Sequence, residues 1–265
     1  MSQILLSGIF AVGLFFGVLG CSRLGWRLGV RRFANEGDDG QAGLGAVEGA
    51  VYGLMGLLIA FTFTGAASRF DHRRDLITAE VNAIGTAWLR LDALDEPSRQ
   101  EVRGLFRQYL DGNLELTQHG TRENEILAVV AEVGSLQQAI WDRVNEAAWQ
   151  APAKPIPQLL YPALNEMFDS FQRRILSTRQ HPPLPVYLML SLTVLTSALL
   201  SGFGMAKAKR QSRVHLFGFS AVLALSIYLI LDLEYPRLGL VRVDSFDQAL
   251  LELRDSMDSP GGEAN

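Results

Sequence analysis

Apolar residues in this chain are gathered into four blocks instead of being spread along it. Ile4–Leu19 (ILLSGIFAVGLFFGVL), Leu184–Phe203 and Val214–Leu231 carry no acidic or basic residue, and Leu44–Ala67 carries only Glu48. A hydrocarbon core of about 30 Å takes roughly 17–25 helical residues at about 1.5 Å each, so three of the blocks fit as transmembrane helices and the first, Ile4–Leu19, is marginal in length. The expected spans are about 4–21, 44–67, 184–203 and 214–231. Helices are the expected form because a backbone amide in lipid must find its partner within its own segment.

Between the second and third blocks the period is helical and the surface polar. Phe70, Ile77, Ile84 and Leu91 recur every seven residues, with Val81 and Trp88 between them, an amphipathic stripe. No proline separates it from the second block, so that membrane helix is expected to continue into the polar segment as one rod. Asp95-Glu96-Pro97-Ser98 marks a stop and a restart, with Pro97 in a first turn. Apolar positions then predict a helix through Val102–Leu110, another from near Thr121 through Val144, and a fourth over about Leu159–Thr178. Ala151–Pro157, with three prolines, is the linker before the last of these, and Pro182-Pro183 ends it. Residues 22–42 read as a turn or two of basic juxtamembrane helix followed by a flexible acidic-glycine loop. A short helix is expected at 244–257, and Pro260–Asn265 is expected to be disordered. The fold class is therefore all-α: a first transmembrane pair (1–68), a polar helical bundle inserted between helices 2 and 3 (69–183), a second pair (184–232) and a tail (233–265).

Composition alone hides the membrane. With 20% charged and 48% hydrophobic residues the averages are those of a soluble protein, and only their segregation is informative. A net charge of −4 and the lack of a basic, aromatic-studded face point away from nucleic acid. One cysteine, Cys21, excludes an intrachain disulfide. Val18-Leu19-Gly20-Cys21 loosely matches a lipoprotein processing site, but Met1-Ser2-Gln3 lacks the basic residues of a signal peptide, which favours a retained helix. The four histidines are scattered, so neither a metal site nor a cofactor is expected. Catalytic signatures such as GxSxG, HExxH or a Walker loop are missing, and Glu80, Asp92 and Asp111 read as solvent-facing carboxylates, so the chain is not expected to be an enzyme.

The second membrane helix holds the candidate chemistry. Gly45, Gly49, Gly53, Gly56, Ala60 and Thr64 form one small-residue stripe, suited either to close helix packing or to lining a pore. Phe61 and Phe63 would supply a hydrophobic constriction. Glu48, about one turn inside, would either reach the interface or form an acidic collar in a ring of subunits. Beyond the span, Arg69, Asp71, Arg73 and Arg74 make a charged stop-transfer element. Helices 2 and 4 must end on the same face, so an ion pair between Asp232 and Arg69 or Arg73 is expected, with phospholipid anchoring as the alternative.

Two runs carry a family resemblance: Ala60-Phe-Thr-Phe-Thr-Gly-Ala-Ala-Ser-Arg-Phe-Asp-His-Arg-Arg74 continued by Glu80–Leu91, and Asp232-Leu-Glu-Tyr-Pro-Arg-Leu-Gly-Leu-Val-Arg242, with Tyr109-Leu-Asp111 between them. Over Leu44–Arg242 the chain resembles a bacterial membrane family described as bestrophin-like. The resemblance implies likeness to bestrophins, pentameric anion channels with four membrane helices whose second helix lines the neck and whose intervening helices build a cytosolic vestibule. The bestrophin neck sequence and acidic calcium clasp are not matched residue by residue.

Four spans put both termini and the polar bundle on one side of a bacterial inner membrane. Basic residues near the membrane are balanced between the two sides. The first helix favours an outside N-terminus and the resemblance a cytoplasmic one. Two functions stand: an oligomeric ion channel lined by the second helix, partnered by lipid, ions and further copies of itself, or a non-conducting scaffold or sensor whose bundle binds a protein partner.

Overall fold

The computed structural model describes residues 3–36, 44–118, 123–151, 154–207, 213–235, 241 and 244–258. The acidic-glycine loop expected after the first span and the tail expected at 260–265 lie outside the described residues. All described elements are helical: α1 (Gln3–Glu36), α2 (Leu44–Arg90), α3 (Glu96–Gln118), α4 (Glu123–Gln150), α5 (Ile156–Ser177), α6 (Leu184–Gly204), α7 (Arg213–Glu234) and α8 (Asp244–Ser256). Four of them, α1, α2, α6 and α7, are long and apolar enough to cross a bilayer, and the protein is a membrane protein. The chain divides into two units. One comprises Met1–Phe70 and His181–Val241, the other Asp71–Gln180 and Arg242–Asn265.

In the first unit α1 is the hub, packed on both α6 and α7. It corrects the sequence reading of its length. A helix expected to end near 21, with a turn or two beyond, runs unbroken to Glu36. At about 1.5 Å per residue it is about 50 Å long, well beyond a hydrocarbon core. Glycines at 20, 25 and 29 do not interrupt it. Close approach uses a glycine from each helix: a Cβ on Gly25 would lie 1.9 Å from the Leu199 carbonyl oxygen of α6, and one on Gly202 of α6 would lie 1.9 Å from the Ser22 carbonyl oxygen of α1. The α1–α6 seam is therefore backbone on backbone. Leu14, Val18, Leu190, Val194, Leu223 and Ile227 fill the core around it.

The expected rod is present, since α2 continues without a break from Leu44 to Arg90. A 3-10 turn at Leu91–Ala93 ends it, and α3 restarts at Glu96 with Pro97 in its first turn. Asp95 precedes that turn, and its carboxylate accepts the Ser98 N–H at 3.5 Å. That interaction with Ser98 lowers the Asp95 pKa.

The second unit has a core of Ile84, Leu91, Phe106, Leu110, Ile140, Leu160 and Met167. Through it runs one polar layer. Glu80, read from the sequence as solvent-facing, is fully buried and paired with Arg174. Arg174 also donates to Asn113 Oδ1 at 2.7 Å, and Asn113 donates to the Tyr109 carbonyl at 3.1 Å. Burial, followed by the Glu80 charge, pushes the Tyr109 phenol well above its ordinary range. Position 80, three residues after Ile77 and four before Ile84, lies on the same helix face as the stripe, where Arg174 of α5 meets it. Asp92 and Asp111, by contrast, are on the surface.

The short tail helix is α8. Leu250 and Met257 are buried in the same core, and Arg254 bonds Asp111 through Nε at 2.7 Å. Arg107 bonds Asp258 at 2.9 Å and the Met257 carbonyl at 2.8 Å. The tail from Asp244 to Asp258 thus packs within the second unit.

Candidate functional site

Helix α2 turns about 100° per residue, which sorts its membrane half into two faces. Met55 and Ala66 are buried and Glu48, Tyr52, Ile59 and Thr62 are half-buried, and these six lie on one side. Gly45, Gly49, Gly53, Gly56, Ala60 and Thr64 are all exposed, on a line turned about 110° from that side. A Cβ at Gly45, Gly49, Gly53 or Gly56 would meet nothing within 4 Å. Among the described residues, these glycines thus form no seam with another helix of this chain. Phe63, 45% exposed, lies five turns from Gly45 at one edge of the line, whereas Phe61, 66% exposed, is turned about 110° from the middle of that line.

Glu48 belongs to the covered face. Its carboxylate lies against Gly204 of α6, where an added Cβ would come within 3.0 Å of Oε2. The neighbouring Tyr52 is directed toward Ser201 of the same helix. Glu48 and the glycine line therefore point in different directions. Thr62 turns its hydroxyl back onto the Leu58 carbonyl at 2.7 Å, which satisfies it within the helix.

At the other end of the span, Arg69 grips Glu234. Its Nε lies 2.9 Å from Oε1 and 3.2 Å from Oε2, and Nη2 also donates to Oε1. Glu234 is fully buried. His181 brings Nδ1 to 3.6 Å from Oε2 and lays its ring 5.0 Å from that of Tyr235. One carboxylate at the end of α7 thereby ties the span of α2 to the residue that leads into α6. Asp232 accepts the Val241 N–H at 2.9 Å. Further along α2, Arg73 is buried and donates to the Gln180 carbonyl at 2.9 Å, while Arg74 pairs with Asp71 at 3.1 Å on the surface.

The bestrophin-like domain family matches residues 13–245, nearly the whole chain. The chain belongs to the bestrophin-like family. Its fold is similar to the crystal structure of a bacterial bestrophin homologue from Klebsiella pneumoniae, a tyrosine-to-alanine variant, with a TM-score of 0.65 and 13% identity. That match covers 90% of this chain and 98% of the homologue. Among curated proteins, none matches the sequence.

In this bestrophin-like chain the clasp residues that sequence reasoning missed are Glu234, as the partner of Arg69, and His181. Glu234 was visible only as a second acid two residues past Asp232, and nothing beside Pro182-Pro183 marked His181. Arg69→Ala is expected to lower stability by about 3 kcal/mol, because it strips a buried carboxylate of its guanidinium. Arg69→Lys should recover only part of the loss, since an ammonium cannot span both oxygens. Thermal unfolding in detergent measures both, and an unchanged melting temperature for Arg69→Ala would remove the clasp from the account.

Proposed function

We propose that this bestrophin-like protein is a homo-oligomeric ion channel of a bacterial inner membrane, with the membrane half of α2 lining an axial path. The observation that carries the reading is the exposed small-residue line from Gly45 to Thr64, which nothing among the described residues of the chain covers. In lipid, small residues favour close approach of helices, and in a ring of subunits the same line faces an axis that water and ions can occupy. Family membership supports the same assignment, and a pentamer follows by analogy with bestrophins. On this reading Phe63 forms the hydrophobic constriction and gates by dewetting, Phe61 faces a neighbouring copy or lipid, and Glu48 stays within the subunit as a packing residue.

Planar-bilayer recordings test the proposal. The wild-type protein is expected to conduct, Phe63→Ala to conduct more, and Phe61→Ala to leave single-channel current unchanged. No current across a range of ions and potentials, or a dimer in detergent, would overturn it. The non-conducting scaffold or sensor, with its bundle binding a protein partner, would then stand instead.

A further inference from the structure

Arginines in most of this protein are matched to acids: Arg69 to Glu234, Arg174 to Glu80, Arg107 to Asp258 and Arg254 to Asp111. Three arginines of α1 break that rule. Arg23, Arg27 and Arg31 are all exposed, and among the described residues none has an acidic partner. Spaced four apart, they form one row along the helix. Leu24 and Leu28, 49% and 44% exposed, form the adjoining row. The opposite side of the same turns is occupied, because Gly25 and Gly29 are pressed against Leu199, Phe203 and Ala206.

The level of the row along the helix matters as much as its charge. From Ile4, the apolar part of α1 reaches Arg23 after about 28 Å at about 1.5 Å per residue, close to the thickness of a hydrocarbon core. Arg27 and Arg31 follow about 6 and 12 Å further out, through the headgroup layer. At that level leucines remain in acyl chains while guanidiniums reach outward. The basic residues are also all arginine, whose planar fork bonds two phosphate oxygens at once, whereas lysine offers a point charge.

We infer that Arg23, Arg27 and Arg31 form a binding row for anionic phospholipid headgroups, with Leu24 and Leu28 seated on the acyl chains beside them. The three guanidiniums engage lipid phosphodiesters, and the bound lipids cover an α1 face left open among the described residues. The inference stands apart from conduction, since it concerns the lipid-facing surface of α1 and not the α2 line.

The test is retention of lipid by the purified full-length protein from mixed micelles holding equal parts phosphatidylglycerol and phosphatidylcholine. Each basic residue near an anionic surface is worth roughly a fivefold preference, so three together give an enrichment on the order of a hundredfold. Replacing all three by glutamine is expected to abolish the enrichment. Replacing all three by lysine is expected to keep part of it. Arg27→Gln alone, at an exposed position in the middle of the row, should lose about fivefold while unfolding at the wild-type temperature in neutral detergent. That single variant decides the question if the triple one does not fold. Equal retention of the two lipids by the wild type, or full enrichment in the glutamine variants, would overturn the inference. Displacement of the lipid by inorganic phosphate at matched ionic strength would also overturn it, by making this a site for free anions.

Discussion

Arg174→Met is expected to destabilise the polar bundle by about 3–5 kcal/mol, the largest single effect foreseen for this protein. The guanidinium is held by Glu80 and Asn113 inside a core where Glu80 has no exposed surface. Removing it leaves a carboxylate without its main counter-charge in a place water does not reach. Glu80→Leu is expected to be comparably damaging, because it leaves the cation in the same predicament. The double variant Glu80→Leu/Arg174→Met should regain most of the loss, since well-packed apolar side chains of similar volume replace a buried ion pair at little cost or none. Unfolding of the full chain in detergent, followed by circular dichroism, gives the three values. Additive losses in the double variant would show that the two residues do not act as a pair.

The second large effect is expected at the α1–α6 seam. Gly25→Ala places a methyl group 1.9 Å from one backbone atom of α6 and 2.9 Å from another, and neither can rotate out of the way. The helices must separate along the seam, at a cost of about 1–3 kcal/mol or more, and Gly202→Ala should behave alike from the other side. Gly13→Ala is the control, because an added Cβ there meets nothing within 4 Å. Its melting temperature in detergent is expected to match the wild type. If Gly25→Ala also matched the wild type, the backbone-to-backbone contact would not be holding α1 on α6.

Neither of these two sites is announced by the amino-acid sequence. The glycines of α2, at regular spacing in an apolar block, suit close helix packing or a pore, and among the described residues nothing of the chain itself covers them. The seam the chain uses lies at Gly25, Gly29 and Gly202, among arginines and serines that gave no such stripe. Likewise Glu80 sits in a polar-looking stretch, and nothing nearby signals an arginine 94 positions later as its partner.

What the sequence determined by itself was the local and the periodic. The four membrane helices, the unbroken α2 rod, the restart at Pro97 and the helical tail follow from block length, the 3.6-residue period and proline placement, all read within a few turns. The tertiary structure alone decided which face of each helix is covered: the extension of α1 and its glycine contact with α6, the assignment of Glu48 to the covered side of α2, the Glu80–Arg174 layer, and Glu234 as the partner of Arg69. The physical reason is that backbone hydrogen bonds and side-chain periodicity act between neighbours in the chain. A salt bridge or a close helix crossing is set instead by residues far apart in sequence, whose meeting depends on how whole helices pack.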